Sequence, residues 1–392
     1  MSEVELSIEK LVYGGDGLAR ENGQVVLTPF VLPGETVRAE VSRAKNDLLR
    51  GRPIEVLSRA PRRTEPRCPY FLRCGGCHYQ HAEYEYQLEQ KRAILLEVLR
   101  RTGGIDYSGD VALIAGDPWE YRNRVQLHIS GGAIGYFQAG AHALVPIDRC
   151  PISSPKLNDS IAVLARELPG MRPFEATLEL FTNEREVQWR LQDRAPRPFV
   201  TLLRKLGTNA PIQYGGFRVS RDTFFQVNRF LVDRLVDLVM AGSGGSEAMD
   251  LYAGAGLFTL PLARRFERVI AVEASPSAFR DLEHNAGASE ILNLATHNET
   301  AEAHLMTVTE APDLVVADPP RAGLGKLAVG ELIRIRSPRL TVVSCDPPTL
   351  ARDLRPLLAA GYRIGEMILV DLFPQTAHFE TIVRLATARL TA

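Results

Sequence analysis

Asp250-Leu-Tyr-Ala-Gly-Ala-Gly-Leu-Phe258 decides the fold of this chain. Met249-Asp-Leu251 reads as the end of a buried strand, and a helix follows the turn. Gly254 and Gly256 therefore fall where a backbone without Cβ can pass close to a ligand. Arg268-Val-Ile-Ala-Val-Glu273 is the next strand, and Glu273 ends it where a carboxylate can take both hydroxyls of a ribose. Thr259 stands where the third glycine of a dinucleotide fingerprint would be. That substitution argues against a pyrophosphate and fits a nucleoside cofactor such as S-adenosylmethionine.

The surroundings keep this rhythm. Residues 230–240 read as a helix, and Asp313-Leu-Val-Val-Ala-Asp318 and Leu340-Thr-Val-Val-Ser-Cys345 as buried strands. Residues 221–392 are thus expected to form a doubly wound, Rossmann-like α/β domain with ligands at the carboxyl ends of its strands. In Asp318-Pro-Pro-Arg321 two prolines make a stiff, non-helical exit that holds Asp318 toward the ligand. Cys345 ends the next strand just before Thr349-Leu-Ala-Arg-Asp-Leu354, whose N-terminal amides are expected to favour a thiolate. A lone cysteine is ordinarily inert core; its place at the ligand-bearing edge makes Cys345 a candidate nucleophile. Glu380, in His378-Phe-Glu-Thr381, is the candidate proton acceptor. Phe224-Phe-Gln-Val-Asn228, taken alone, reads as aromatic core.

At 392 residues the chain exceeds one ordinary core, and two or three domains are expected. Its 45% hydrophobic and 24% charged residues are those of a soluble globular protein. The acidic start, Met-Ser-Glu-Val-Glu, lacks the features of a signal peptide, and no apolar run approaches the ~18 residues of a membrane span. A cytoplasmic protein is expected, in which clustered cysteines more often bind metal than pair as disulfides. Cys68, Cys74 and Cys77 form C-x5-C-x2-C around Gly75-Gly76, and Cys150 supplies a fourth thiol. Four thiolates satisfy either tetrahedral zinc or a cubane iron–sulfur cluster. Ligation by Cys150 would pin a second β-rich region to the 68–77 loop.

Residues 1–58 alternate apolar and polar residues between Gly14-Gly-Asp-Gly17 and Pro33-Gly34, as about five short strands of an OB-type barrel would. Net charge is −1, yet ten basic residues face four acidic ones between Arg38 and Arg73. Forty of the 46 basic residues are Arg, which suits phosphate forks and base stacking. A helix over residues 82–103, with Tyr84, Leu88, Leu95 and Leu99 on its apolar face, is open to packing on the catalytic domain. Residues 59–220 otherwise form a central β-rich domain.

Jointly these motifs resemble the RNA uracil-5-methyltransferases, particularly the 23S ribosomal RNA branch with an N-terminal TRAM domain and a [4Fe-4S] cluster. The resemblance runs over nearly the whole chain. It is carried by the cysteine pattern, Tyr121-Arg-Asn123, Phe224-Phe-Gln-Val-Asn228, Asp250-Leu-Tyr252, Asp318-Pro-Pro-Arg-Ala-Gly323, Ser344-Cys345 with Pro347, and His378-Phe-Glu380. It implies that Gln226, Tyr252, Glu273, Asp318 and Asn298 bind S-adenosylmethionine. It implies Cys345 as nucleophile, Glu380 as general base, and an iron–sulfur cluster on Cys68, Cys74, Cys77 and Cys150. The implied partner is RNA, ribosomal RNA ahead of transfer RNA, and the implied state a monomer away from membranes. Leu257, Ala253 and Asp346 depart from residues common in the family. A cytosine-5 enzyme would carry a second active-site cysteine, for which no sixth cysteine exists. A non-catalytic RNA-binding or assembly protein is the rival of another class.

Overall fold

The computed structural model describes residues 2–44 and 48–387. Lys45 and Asp47 of the basic stretch, and residues 388–392 of the expected catalytic domain, lie outside the described residues.

The N-terminal sheet has six strands where about five were expected: β1 (Ser2–Ser7), β2 (Lys10–Leu11), β3 (Gly17–Glu21), β4 (Gln24–Thr28), β5 (Thr36–Arg43) and β6 (Leu49–Ser58), in the order β1-β5-β6-β4-β3-β2. Strand alternation sets its core: Val37, Ala39 and Val41 point inward and pack with Leu6, Ala19, Val26 and Val31. Gly17 packs without room to spare: a Cβ there would meet Val31 Cγ2 at 2.4 Å and force the neighbouring core side chains to shift. The arginines are less free than their count suggests. Arg38, Arg50, Arg52 and Arg63 pair with Glu55, Asp16, Glu40 and Glu35.

β7 (Val111–Ile114) precedes a five-stranded antiparallel sheet of β8 (Arg124–Ser130), β9 (Ala133–Phe137), β10 (Leu144–Pro146), β11 (Ala176–Thr182) and β12 (Val187–Leu191), ordered β10-β9-β8-β11-β12. Helices α2 (Pro155–Glu167) and α3 (Arg197–Leu206) cover it through Leu157, Ile161, Phe199 and Leu203. A small hairpin of β13 (Ile212–Tyr214) and β14 (Phe217–Val219) follows.

The third sheet is built on β15 (Gly245–Leu251), β16 (Phe266–Val272), β17 (Leu294–His297), β18 (Leu314–Ala317), β19 (Arg339–Ser344), β20 (Tyr362–Val370) and β21 (Glu380–Thr387). Helices α4 (Val232–Met240), α5 (Thr259–Ala263), α6 (Pro276–Ala288), α7 (Ala301–Thr307), α8 (Gly325–Ile335) and α9 (Pro347–Ala359) alternate with its strands. Its order is β17-β16-β15-β18-β19-β21-β20-β7. The first five of these are parallel, and β21 runs antiparallel between β19 and β20. Strand order reverses beside β15, which opens a crevice at the carboxyl ends. The eighth strand is β7, paired in parallel with β20 although it comes from the stretch assigned by sequence to the central domain.

Helix α1 (Tyr84–Val98) also joins this body: Ile94 and Leu95, with Leu99 beyond its end, pack into the same core as Leu350, Leu354 and Leu357. Its buried face differs from the apolar one expected. Leu88 is only partly covered, while Gln87 and Lys91 are buried. Their partners explain this. Lys91 Nζ donates to Asp371 Oδ1 at 2.6 Å and to the Phe373 carbonyl at 3.1 Å, and Tyr84 Oη donates to Asp371 Oδ2 at 3.0 Å. Gln87 Nε2 donates to Gln375 Oε1 at 3.0 Å. Both members of the Lys91–Asp371 pair are fully buried. Lys91→Ala is expected to lower stability by about 3–5 kcal/mol, because it leaves Asp371 buried without its cation. Denaturant unfolding checks this, and Lys91→Met/Asp371→Leu should recover most of the loss.

Candidate active site and cysteine pocket

The Asp250–Phe258 turn leaves the carboxyl end of β15. Tyr252 and Gly254 take positive φ, 62° and 59°, and Gly256 follows at 94°. A Cβ on Gly256 would meet Leu282 Cδ1 at 2.9 Å. Glu273 is locked across the turn: Oε2 accepts from Gly254 N at 2.8 Å and Oε1 from Ser275 N at 2.6 Å. Asn298, on the neighbouring strand end, donates to the Glu273 carbonyl at 2.8 Å. Thr259, the residue in place of the third glycine, donates to Asp250 Oδ2 at 2.6 Å. Burial pushes Asp250 up to about 7, helped by the charges of Asp318 and Glu273 and opposed by the Thr259 hydroxyl. Burial likewise raises Asp318 to about 7. Burial also raises the Tyr252 phenol. Carboxylates crowded round a strand–turn–helix mouth repel one another, and a cationic ligand would relieve them.

Cys345 and Glu380 meet through sheet register. Ser344 of β19 stands opposite Thr381 of β21, so the residue after β19 and the first residue of β21 share one end of the sheet. Glu380 is buried, and burial together with Asp318 raises its carboxyl well above the usual range, with Arg321 opposing. Cys345 is half-buried. Its thiol is pushed up to about 12, first by burial, then by Glu380, against Arg321. The amide-stabilised thiolate expected from sequence is therefore corrected. Helix α9 (Pro347–Ala359) begins with two prolines, which have no N–H, and Asp346 Oδ1 takes the Thr349 amide at 3.0 Å. The helix start offers Cys345 a carboxylate in place of free donors.

Gln226 is buried, and its segment is clamped by the Tyr121-Arg-Asn123 motif. Asn123 donates to the Gln226 carbonyl at 3.1 Å and through its backbone to Val227 O at 2.9 Å. Tyr121 Oη donates to Pro374 O at 3.0 Å, and Asn228 Nδ2 to Leu372 O at 3.2 Å. The two phenylalanines before Gln226 divide: Phe225 is core, whereas Phe224 is 62% exposed.

Cys68, Cys74, Cys77 and Cys150 line one cavity of about 180 Å³, with Tyr136, Ile147 and Ile152 among its walls. All four are free thiols. Burial pushes Cys74 up to about 11, and Cys150 and Cys68 raise it further. The walls are fixed by the protein itself: Gly75 N donates to Phe137 O at 3.0 Å, and Asn158 Oδ1 accepts from Cys150 N at 2.8 Å. The loop also reaches the catalytic body, where His78 N and Tyr79 N both donate to Gln375 O, at 2.9 and 3.0 Å.

Two contributors escaped the sequence reading. Arg321, inside the Asp318–Gly323 motif, is the cation that opposes the upward shifts of Cys345 and Glu380. Tyr13, from the N-terminal sheet region, donates its hydroxyl to Asp346 Oδ2 at 2.6 Å. Nothing near Tyr13 in sequence signals a partner 333 positions away.

A sequence profile for tRNA (Uracil-5-)-methyltransferase matches residues 212–388, and one for the TRAM domain matches residues 1–54. The chain is 33% identical to an uncharacterized RNA methyltransferase of Aquifex aeolicus (strain VF5), over 97% of this chain and 98% of that protein. It is 32% identical to the 23S rRNA (uracil(1939)-C(5))-methyltransferase RlmD of Pectobacterium atrosepticum, over 94% of this chain and 90% of that one. Its fold is similar to that of the Pyrococcus abyssi tRNA (uracil-54, C5)-methyltransferase solved with S-adenosyl-L-homocysteine. That match has a TM-score of 0.75 and 24% identity, and it covers 98% of this chain and 100% of that one.

Proposed function

Because this chain belongs to the RNA (uracil-5-)-methyltransferase family, we propose that it methylates C5 of a uridine in RNA, with 23S ribosomal RNA the favoured substrate and transfer RNA the alternative. The observation that carries this reading is the meeting of Cys345 and Glu380 at one sheet end, beside the carboxylate-lined crevice. S-adenosylmethionine, when bound, supplies a methyl group on a sulfonium cation. Gln226, Tyr252, Glu273 and Asp318 would hold it, with Glu273 on the ribose and Asn298 fixing the Glu273 backbone. The crowded carboxylates suit its positive charge.

Uracil C5 is too weak a nucleophile to be methylated directly. Cys345 adds to C6 and makes C5 enolate-like, a covalent device that divides one hard step into easier ones. After C5 has gained its methyl group, Glu380 removes the C5 proton. The Cys345–C6 bond then breaks, and the C5–C6 double bond re-forms. A stacked base cannot present C6 to a half-buried thiol, so the uridine must be unstacked, and exposed Phe224 offers a ring beside Gln226. The TRAM sheet, the arginine-rich stretch and the cysteine loop would grip the flanking RNA.

The cavity that Cys68, Cys74, Cys77 and Cys150 line together, with room for more than one ion, supports a [4Fe-4S] cluster there. Its role here would be to fasten the cysteine loop to the central sheet. No helix among the described residues is long and apolar enough to cross a membrane. We read the enzyme as a cytoplasmic monomer, with a TRAM domain over 1–58, a central region over 59–220 that lends α1 and β7 to the catalytic body, and a catalytic domain over 221–392.

Incubation with RNA tritiated at uridine C5 should release one tritium per methyl transferred. Methylation without tritium release would sink the uracil-C5 assignment. Anaerobically purified protein is expected to be brown, with visible charge-transfer absorbance that Cys77→Ser removes. Colourless protein with stoichiometric zinc would overturn the cluster.

A further inference from the structure

We propose that His297, Glu299 and His304 form a second metal site, separate from the cysteine pocket, for one divalent transition ion of the zinc, cobalt or nickel class. Among the described residues they are the group of His, Cys, Asp or Glu side chains whose ligand atoms all lie within 4.8 Å of one another. The chain builds the group at an edge of the catalytic sheet. His297 ends β17, the outermost strand, Glu299 lies in the connection, and His304 comes from helix α7 (Ala301–Thr307).

Both imidazoles turn Nδ1 toward the same carboxylate oxygen. Glu299 Oε1 is 2.9 Å from His304 Nδ1 and 3.7 Å from His297 Nδ1, and the ring centroids are 4.5 Å apart. An ion bonded at ~2.0–2.2 Å to each atom needs mutual separations of ~3–3.5 Å, so small side-chain rotations complete the site. The bland alternative is that Glu299 fastens the start of α7 by bonding His304. That task is already done by Thr300, whose hydroxyl accepts from Ala303 N at 3.2 Å. The alternative also leaves His297 facing the pair at 3.7 Å without a hydrogen bond. Burial and the adjacent His304 lower the His297 pKa, favouring the neutral imidazole that ligates metals.

Two imidazoles and one carboxylate suit borderline ions rather than calcium or magnesium. Access is open, since the His297 and Glu299 side chains are 41% and 37% exposed. A bound ion would clamp β17 to α7 next to Glu273, whose backbone N–H donates to His297 O at 3.0 Å.

The test is titration of the full chain, its cysteine pocket already loaded, with Co²⁺ followed by visible absorbance. The expected result, read as the difference from the cobalt-free protein, is one saturable equivalent with ligand-field bands and no added sulfur-to-metal charge transfer. His297→Ala should weaken binding at least ~10-fold while leaving circular dichroism and methylation unchanged; Glu299→Gln should weaken it in the same direction. No saturable binding, binding with a thiolate band, or affinity untouched by His297→Ala would each overturn the site. The proposal stands apart from the methylation reading, because the outcomes that would overturn it are all read from cobalt binding and none involves RNA.

Discussion

Cys345→Ala is expected to abolish methylation, by a factor on the order of 10⁴ or more, while cofactor binding changes less than about twofold. The asymmetry follows from where the thiol sits. It stands half-buried after β19, and the contacts of Glu273 and Asn298 belong to other strand ends. Removing it leaves the crevice intact and removes the only proposed means of raising electron density at uracil C5. Single-turnover methyl incorporation and equilibrium dialysis with S-adenosylhomocysteine measure the two halves. Retention of a tenth of wild-type activity would exclude the covalent route. Because the resting thiol is pushed up to about 12, wild-type turnover should also climb as pH rises from 6 to 9, the direction in which thiolate is gained.

Glu380→Gln should stop the reaction at a different point. Cys345 can still add and C5 can still gain its methyl group, but the C5 proton has no acceptor. Enzyme and methylated RNA are then expected to remain joined in a complex that survives denaturing electrophoresis, with turnover reduced ~10²–10⁴-fold. A free, fully methylated RNA product at the wild-type rate would remove Glu380 from the mechanism. Wild-type turnover carries the corresponding pH signature. Burial and Asp318 raise the Glu380 carboxyl, so the base form is lost on acidification at a higher pH than for an ordinary carboxylate. Arg321 pulls the other way, and Arg321→Gln should move this acid limb further up.

Legibility in the sequence follows sequence separation. The Asp250–Phe258 turn, the Glu273 strand end and the Asp318 exit are local patterns, each readable in a window of a few residues, and together they placed the catalytic fold and its mouth. The four pocket cysteines were readable because thiols are scarce and three fall within ten residues. What local reading could not supply is pairing across the chain. Lys91 and Gln87 look like solvent-facing residues of α1 until Asp371 and Gln375 arrive from 280 and 288 positions away. The β19–β21 register that brings Glu380 to Cys345 is an antiparallel pairing with no motif of its own. The Cys345 environment differs from the expected one for a chemical reason: a helix start ordinarily offers amide donors, whereas Pro347, Pro348 and the Asp346 cap remove them.

The β7–β20 pairing bears on how the enzyme can be cut and how it is made. Excising residues 221–392 along the apparent domain line would bare one side of β20 as an open strand edge, the surface through which chains recruit one another into aggregates. The same cut would remove both side-chain partners of Asp371, Lys91 and Tyr84, together with the helix that covers it. The catalytic half is therefore not an autonomous folding unit. Its outermost strand and its buried counter-ion are synthesised more than a hundred residues before β15 leaves the ribosome, and they must wait, unpaired, for the sheet they complete.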